Sequence, residues 1–301
     1  MKVLLLGAQS SIGRELIRLF DERQIEWQSA DEAGINVDDP VGTARTLTHA
    51  GADQVINLLS FAAGQQGAVS AAESAVDQAD KINHMLPDLL SQVCDHLHIP
   101  LIHLSSVYVF GGDKKLPYNE QDAPKPLGVY GVTMAAGEDA IQANLKQHVI
   151  LRAGWLFGPG QDQRLKNWLR ELRDNDGAVT VNRGKIAPTP IEDLARVILA
   201  VALQVDCDAD LWGTYHYAAL EPLKESEFVQ QLIKFAAQHD EQVYALLDHL
   251  TIHLNRIEPP LLANSTLATK KIFETFGIKQ RPWQGSLQKL VKSWYKDAGR
   301  G

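Results

Sequence analysis

The chain is predicted to be an α/β protein, and three observations predict it. Residues 2–6 (KVLLL) form a short apolar run stopped by Gly7, after which Ile12, Leu16, Ile17 and Phe20 recur at helical spacing. A glycine-bounded turn, Gly7-Ala8-Gln9-Ser10-Ser11-Ile12-Gly13, joins the two. The same order of buried run, turn and helix recurs downstream around residues 53–61, 101–106 and 148–160. Strands alternating with helices give a Rossmann-type doubly wound parallel sheet, here with a smaller C-terminal lobe.

Taken in order, the second strand is the weakest, around Glu26-Trp27-Gln28 and leading to Asn36-Val37-Asp38. The run DQVINLLSF (53–61) alternates into a buried strand, and a long helical stretch follows, in which Pro87 predicts a break or kink. The run from Leu101 ends in Ser105-Ser106, a Pro/Gly-rich loop follows, and Tyr130 opens a helix. Residues 148–160 form a strand running into a loop, 164–173 an amphipathic helix, and 191–204 a helix apolar on one face. Residues 284–296 close the chain as a helix after Trp283.

The 301 residues, 45% of them apolar, suffice for one large core or a domain with a smaller lobe. A net charge of -8 without clustered Lys/Arg argues against nucleic acid or an anionic membrane as partner. Cys94 and Cys207 have no metal-ligand spacing, so a disulfide framework is not expected and a reducing compartment fits. MKVLLLG is too short for a signal peptide and no 18-residue apolar run exists, so the chain reads as cytoplasmic.

Two stretches carry chemistry. The Gly7–Gly13 turn presents backbone N–H groups and a helix N-terminus to a pyrophosphate; Ser10 or Ser11 serves equally as a helix cap, and the two roles are compatible. The stretch 101–138 sets the Ser106 hydroxyl at a strand's C-terminal end and the Tyr130 phenol on the first turn of the next helix, where open α/β sheets place ligand chemistry.

These residues resemble the extended short-chain dehydrogenase/reductase family and, within it, the dTDP-4-dehydrorhamnose reductase family. Gly7 and Gly13 match its Gly-x-x-Gly-x-x-Gly turn, with Ser10 for the central glycine; Ser106, Tyr108, Val109, Phe110 and Tyr130 match its Ser/Thr-Asp-Tyr-Val-Phe and Tyr-x-x-x-Lys segments, with Met134 for the lysine. Further matches are Asn57, Ala71-Ala72-Glu73-Ser74, Ile82-Asn83, Arg152 with Trp155, Phe157 and Gly158, Ala187-Pro188-Thr189-Pro190 with Asp193, and Gly213–Tyr217. The family's Asp-Gln-x-Gly is here Arg183-Gly184-Lys185-Ile186, and the Arg-Pro before Asn264-Ser265 is Leu261-Leu262.

The resemblance implies an NAD(P)H-dependent reductase of a 4-keto nucleotide sugar, with residues 1–155 (rejoined by about 191–218) binding the dinucleotide and 156–190 and 219–301 the substrate. It implies Tyr130 as acid and Ser106 as carbonyl partner; Gly7, Ser10, Ser11, Ile12, Gly13, Arg14, Asn57 and Met134 at the cofactor; and Tyr108, Phe110 and Trp155 at the substrate. No metal is implied, and a lone strand histidine, His216, reads as structural. NADP(H) is favoured over NAD(H): Gln28 and Ser29 stand where an acid would meet the ribose diol, Asp31 and Glu32 come late, and Arg14 is either a partner for a 2′-phosphate or an ordinary surface arginine. Asn83 either shapes the site through a water or satisfies nearby backbone. Residues 240–258, apolar and histidine-bearing, read as an interface, a homodimer contact among the options, or as a reshaped substrate cover.

The family's lysine binds the nicotinamide ribose and lowers the tyrosine pKa. A lone tyrosine titrates near pH ~10 and is the neutral acid a reduction needs, so Met134 does not forbid protonation. What Met134 removes is stabilisation of the phenolate, for which Lys125 or Lys185 are candidate substitutes. The alternative to an enzyme is a non-catalytic dinucleotide-binding or regulatory protein on the same fold.

Overall fold

The structure, a computed structural model, describes residues 1–30, 35–62, 67–207 and 211–298. It begins with strand β1 (Lys2–Leu6), helix α1 (Ser11–Glu22), β2 (Glu26–Ser29), α2 (Pro40–Ala50) and β3 (Gln54–Asn57). Two short helices, α3 (Ala68–Ala72) and α4 (Val76–Asp80), and a π-helical turn at Lys81–Met85 lead into α5 (Leu86–Leu97). Then come β4 (Leu101–Ser106), α6 (Val129–Asn144) and β5 (His148–Ala153). The remainder runs β6 (Leu156–Phe157), α7 (Gln163–Asp174), β7 (Ala178–Asn182), β8 (Lys185–Ile186), β9 (Thr189–Pro190), α8 (Ile191–Asp206) and β10 (Gly213–Tyr217). It closes with β11 (Leu223–Lys224), α9 (Glu225–Ala237), α10 (Glu241–Ala245), β12 (Thr251–Asn255), α11 (Lys270–Phe276) and α12 (Gln284–Ala298).

Six strands form one parallel sheet in the order β10-β5-β4-β3-β1-β2. The chain leaves β1 to one side for β2 and returns to its other side for β3, so the switch point lies between β1 and β3, and the crevice for a ligand opens at the strands' carboxyl ends. Alternation along β1 supplies both faces. Val3 and Leu5 pack with α1, α8 and α11 through Leu16, Phe20, Leu194 and Phe276. Leu4 and Leu6 pack with α2, α5 and α6 through Leu47, Leu90 and Ile141. A separate apolar cluster joins α7, β7, α9 and α12 around Trp168, Phe228, Leu232 and Trp283. Helix α11 lies beyond residue 218 in sequence, yet Ile272 and Phe276 pack with the sheet.

One expectation changes. No strand forms at Asn36-Val37-Asp38: Asn36 Oδ1 accepts from the Asp38 N–H at 2.9 Å and the Asp39 carboxylate caps α2 through the Gly42 N–H at 2.9 Å. Asx-type hydrogen bonding there competes with a ladder and wins. Pro87 breaks the helical stretch by sitting in the first turn of α5, just after the π-helical turn, where its missing N–H costs nothing. In the stretch 240–258, α10, a 3₁₀ turn at Leu246–His249 and then β12 form, β12 pairing in parallel with β7. Asp31 and Glu32 lie outside the described residues. Among those described, no helix is long and apolar enough to cross a membrane.

Candidate active site

A cavity of about 470 Å³ opens at the carboxyl edge of the sheet. Ser10 and Ile12 line it after β1, Ser60 and Phe61 after β3, Ser105 and Ser106 at the end of β4, and Ala153 at the end of β5. Tyr130 and Met134 line it from α6, Tyr108 from the 3₁₀ turn after β4, Trp155 from beyond β5, and Arg164 from α7. Features far apart in the sequence thus converge on it from strand ends and helical segments.

Tyr130 lines the cavity together with Ser106 and Ser60. Helix α6 brings it there because Gly131 has no side chain: a Cβ would strike the Tyr108 carbonyl oxygen and approach Pro126 to 2.8 Å. Gly128, at the N-cap, offers no side chain to the first turn, and Glu73 Oε1 accepts the Val129 N–H instead at 2.7 Å. An acid at that end also suits the helix dipole. Burial raises the Tyr130 pKa above its ordinary value, with the two serine hydroxyls opposing. Tyr108 stands edge-on to Tyr130, ring centroids 5.9 Å apart, and burial holds its phenol up at about 12, Arg164 opposing.

Met134 is 1% exposed and packs with Val107, Val109 and Phe110. Neither Lys125 nor Lys185 lines the cavity, so neither replaces the lysine; the cation among its described lining residues is Arg164. That guanidinium pairs with the buried Glu225 carboxylate and stands 5.7 Å and 4.9 Å from the Trp155 and Trp168 rings. Arg164 and Ser60 were missed as site residues. The signals were a polar residue in an otherwise apolar strand end, for Ser60, and an arginine in the first turn of an amphipathic helix, for Arg164.

The remaining predicted residues are distributed as follows. Gly7 takes φ +82° at the turn, and a Cβ on Gly13 would collide with the Gly7 carbonyl and come within 2.7 Å of the Ala8 oxygen. Ser10 caps α1, accepting the Gly13 N–H at 2.9 Å. The Ser11 and Ile12 N–H groups belong to the first turn, which a helix leaves for outside partners. Arg14 donates to the Gln9 carbonyl and reaches Ser11 Oγ at 3.5 Å. Asn57 is not among the residues lining the cavity: its Nδ2 meets His103 Nδ1 at 3.1 Å and its Oδ1 accepts from Leu59 at 3.0 Å. Phe110 is not brought to the cavity; it is fully buried, stacked on Tyr118 at 4.3 Å with the Arg152 guanidinium 5.0 Å from its ring. Asn83 ties two elements together, accepting from the Phe61 N–H at 2.7 Å and donating to Thr133 Oγ1 at 3.0 Å. His216 is internal, with Nδ1 on the Tyr118 carbonyl at 3.1 Å and Nε2 facing Arg152 at 3.3 Å.

The turn fits a dinucleotide. Gly13 and Gly7 keep the turn free of side chains, and the first turn of a helix leaves its N–H groups for an outside partner such as a pyrophosphate. Ser10 narrows that fit by engaging one N–H of its own helix. Among the described residues no group of three His, Cys, Asp or Glu side chains could hold a metal.

Comparison with known proteins agrees with this geometry. The family model described as RmlD substrate binding domain matches residues 1–296. The chain is 28% identical over 260 residues to a dTDP-4-dehydrorhamnose reductase of Sinorhizobium fredii, covering 82% of each. It is 27% identical over 310 residues to the Escherichia coli protein of that name, covering 98% of each. In fold it is similar to a solved dTDP-4-dehydrorhamnose reductase of Clostridium acetobutylicum, TM-score 0.83 at 23% identity, covering 98% of this chain and 99% of that one. It is also similar to one of Bacillus anthracis solved in complex with NADP, TM-score 0.76 at 19% identity, covering 97% and 98%. A match over nearly the whole chain, joined to a phenol–hydroxyl pair at the carboxyl edge of a parallel sheet, places the chain in the dTDP-4-dehydrorhamnose reductase family of extended short-chain dehydrogenases/reductases, a family of nicotinamide-dependent oxidoreductases.

Proposed function

We propose that the protein reduces the 4-keto group of a dTDP-4-dehydro-6-deoxyhexose, dTDP-4-dehydrorhamnose or a close relative, with NADPH in preference to NADH. The observation that carries this reading is the placement of Tyr130 and Ser106 on one cavity at the carboxyl edge of the sheet, the serine hydroxyl lowering the phenol's pKa against burial. When bound, the reduced nicotinamide supplies the hydride. In this reading Gly7, Ser10, Ser11, Ile12 and Gly13 hold the pyrophosphate, and Arg14, which reaches Ser11 Oγ, pairs the 2′-phosphate. The NADP-bound Bacillus anthracis relative supports the cofactor choice.

The chain's own residues do the rest. Ser106 donates to the substrate carbonyl and fixes its orientation. Tyr130, held neutral by burial at physiological pH, gives its proton to the carbonyl oxygen as charge develops there. Tyr108 and Trp155 present aromatic faces to the sugar and base, and Arg164 presents a cation to the diphosphate. In this division the sheet, with α8, β10 and α11, holds the cofactor, and the α7–β7–α9–α12 cluster holds the substrate.

The alternative is a dinucleotide-binding regulatory protein, favoured by one observation, the apolar Met134 beside Tyr130. Steady-state oxidation of NADPH with dTDP-4-dehydrorhamnose separates the two. Tyr130→Phe should lower kcat about 10³-fold, and Ser106→Ala on the order of 10²-fold, as for loss of preorganised groups at developing charge. Tryptophan quenching by NADPH without turnover in the unmodified protein would instead support the regulatory reading.

A further inference from the structure

Two serines, Ser106 and Ser60, line the cavity with Tyr130 and lower its pKa against burial, one more than the proposed chemistry uses. Ser106 is taken by the substrate carbonyl; Ser60 has no such duty. We propose that Ser60 takes over the electrostatic part of the missing lysine: its hydroxyl donates to Tyr130 as the phenol gives up its proton. This rests on the reductase reading above.

The geometry supports it from both sides. Ser60 is held between two fixed backbone groups, the Leu59 N–H bonded to Asn57 at 3.0 Å and the Phe61 N–H bonded to Asn83 at 2.7 Å. Asn83 then reaches α6 through Thr133, whose Oγ1 donates to the Val129 and Tyr130 carbonyls at 2.9 and 3.1 Å. The loop after β3 and the first turn of α6 are therefore fastened to each other beside Ser60 and Tyr130, and Tyr130 packs with Phe61 of that loop. A lysine at position 134 would reach the phenol from one turn along α6, but Met134 fills that space with a side chain that has no donor.

Charge balance assigns the role. The carbonyl carbon gains a hydride from the reduced dinucleotide, the oxygen gains the Tyr130 proton, and a phenolate is left in the cavity wall. Neutral, Tyr130 donates to one serine and accepts from the other; ionised, it accepts from both. Each remaining donor matters more because, among the described residues, no cation contributes to the environment of the Tyr130 phenol. The titratable and charged groups around Tyr130 are Tyr108, edge-on at 5.9 Å, Arg164 with Glu225, which act on Tyr108, and Glu73 at the helix start. Ser60 and Ser106 are the groups that lower the Tyr130 pKa against burial.

Two readouts test it. The first is kinetic. Ser60→Ala should lower kcat about 10-fold or more with KM within about twofold, as expected for a donor used only after proton transfer. In the reverse direction, where Tyr130 must be the phenolate, the rise of rate with pH should move to higher pH. Ser60→Thr, which keeps the hydroxyl, and the double variant Ser60→Ala/Met134→Lys, which supplies a cation, should both recover rate. The second readout needs no turnover: the alkaline tyrosinate absorbance step that Tyr130→Phe removes should move to higher pH in Ser60→Ala. An unchanged step and unchanged kcat in Ser60→Ala overturn the inference while leaving the reductase reading intact. Absence of reduction by the unmodified protein overturns the reductase reading, and the absorbance titration then still decides whether Ser60 acts on Tyr130.

Discussion

Gly13 shows how a single residue sets the shape of the turn proposed to cradle the cofactor. Helix α1 meets the β1 turn so closely that any Cβ at this position enters the Gly7 carbonyl and crowds Ala8. Backbone cannot yield as a flexible side chain can. Gly13→Ala should therefore displace the helix start, with a loss of at least tenfold in NADPH affinity and a stability loss of about 1–3 kcal/mol typical of overpacking. Fluorescence titration and urea unfolding measure the two. Unchanged affinity would mean that the turn is not where the dinucleotide docks. Gly13 is legible in the sequence because its spacing from Gly7 is itself the signal. Ser60 is not, because its partner is seventy residues away along the chain and the contact exists only once β3 and α6 are packed.

At the scale of elements, α6 is the part on which the site depends. Its outer end carries Tyr130 and Met134, and one buried carboxylate further along anchors it to the sheet. Glu138 accepts from Arg152 Nε at 2.9 Å and from the Ser105 hydroxyl, so α6, β5 and β4 share one ion pair, only 1% and 4% exposed at its two ends. Breaking such a pair leaves an uncompensated buried charge. Glu138→Gln should cost about 3–5 kcal/mol, whereas Glu138→Gln combined with Arg152→Met should recover most of it. Chemical denaturation of the two variants checks this, and equal losses in both would mean that the pairing contributes nothing beyond packing. The strand–turn–helix order of this half was legible because parallel strands buried on both faces read as continuous apolar runs. Asn36-Val37-Asp38 was not, since the side chains that cap α2 carry no apolar pattern, and the Phe110 assignment failed to reach the cavity because a motif match does not say which face of the 3₁₀ turn a side chain takes.

For the whole molecule, acid stability follows from histidines built into the interior. Burial lowers the pKa of His103 to about 4 and that of His216, which also faces Arg152, to about 3, and it lowers that of His148. In the unfolded chain each titrates near pH ~6.5. Between these values the unfolded state binds more protons than the folded state, so stability rises with pH. The contribution is complete above about pH 6.5, falls as pH drops through the window down to about 4 and 3, and changes no further below that. Glu120 and Glu225, whose pKa values burial raises, act with the opposite sign, over a window that begins at the ordinary carboxylate range and runs upward from it. Going from pH 7.5 to 5.0 should therefore cost on the order of 2 kcal/mol for each of His103 and His216. Urea midpoints at the two pH values measure the sum. His216→Gln, which can donate to the Tyr118 carbonyl and accept from Arg152 without titrating, should remove about half of the dependence; a slope unchanged by that substitution would show that His216 is charged inside the folded protein, and that the sheet's edge at β10 admits water where the packing of Phe110 and Arg152 excludes it.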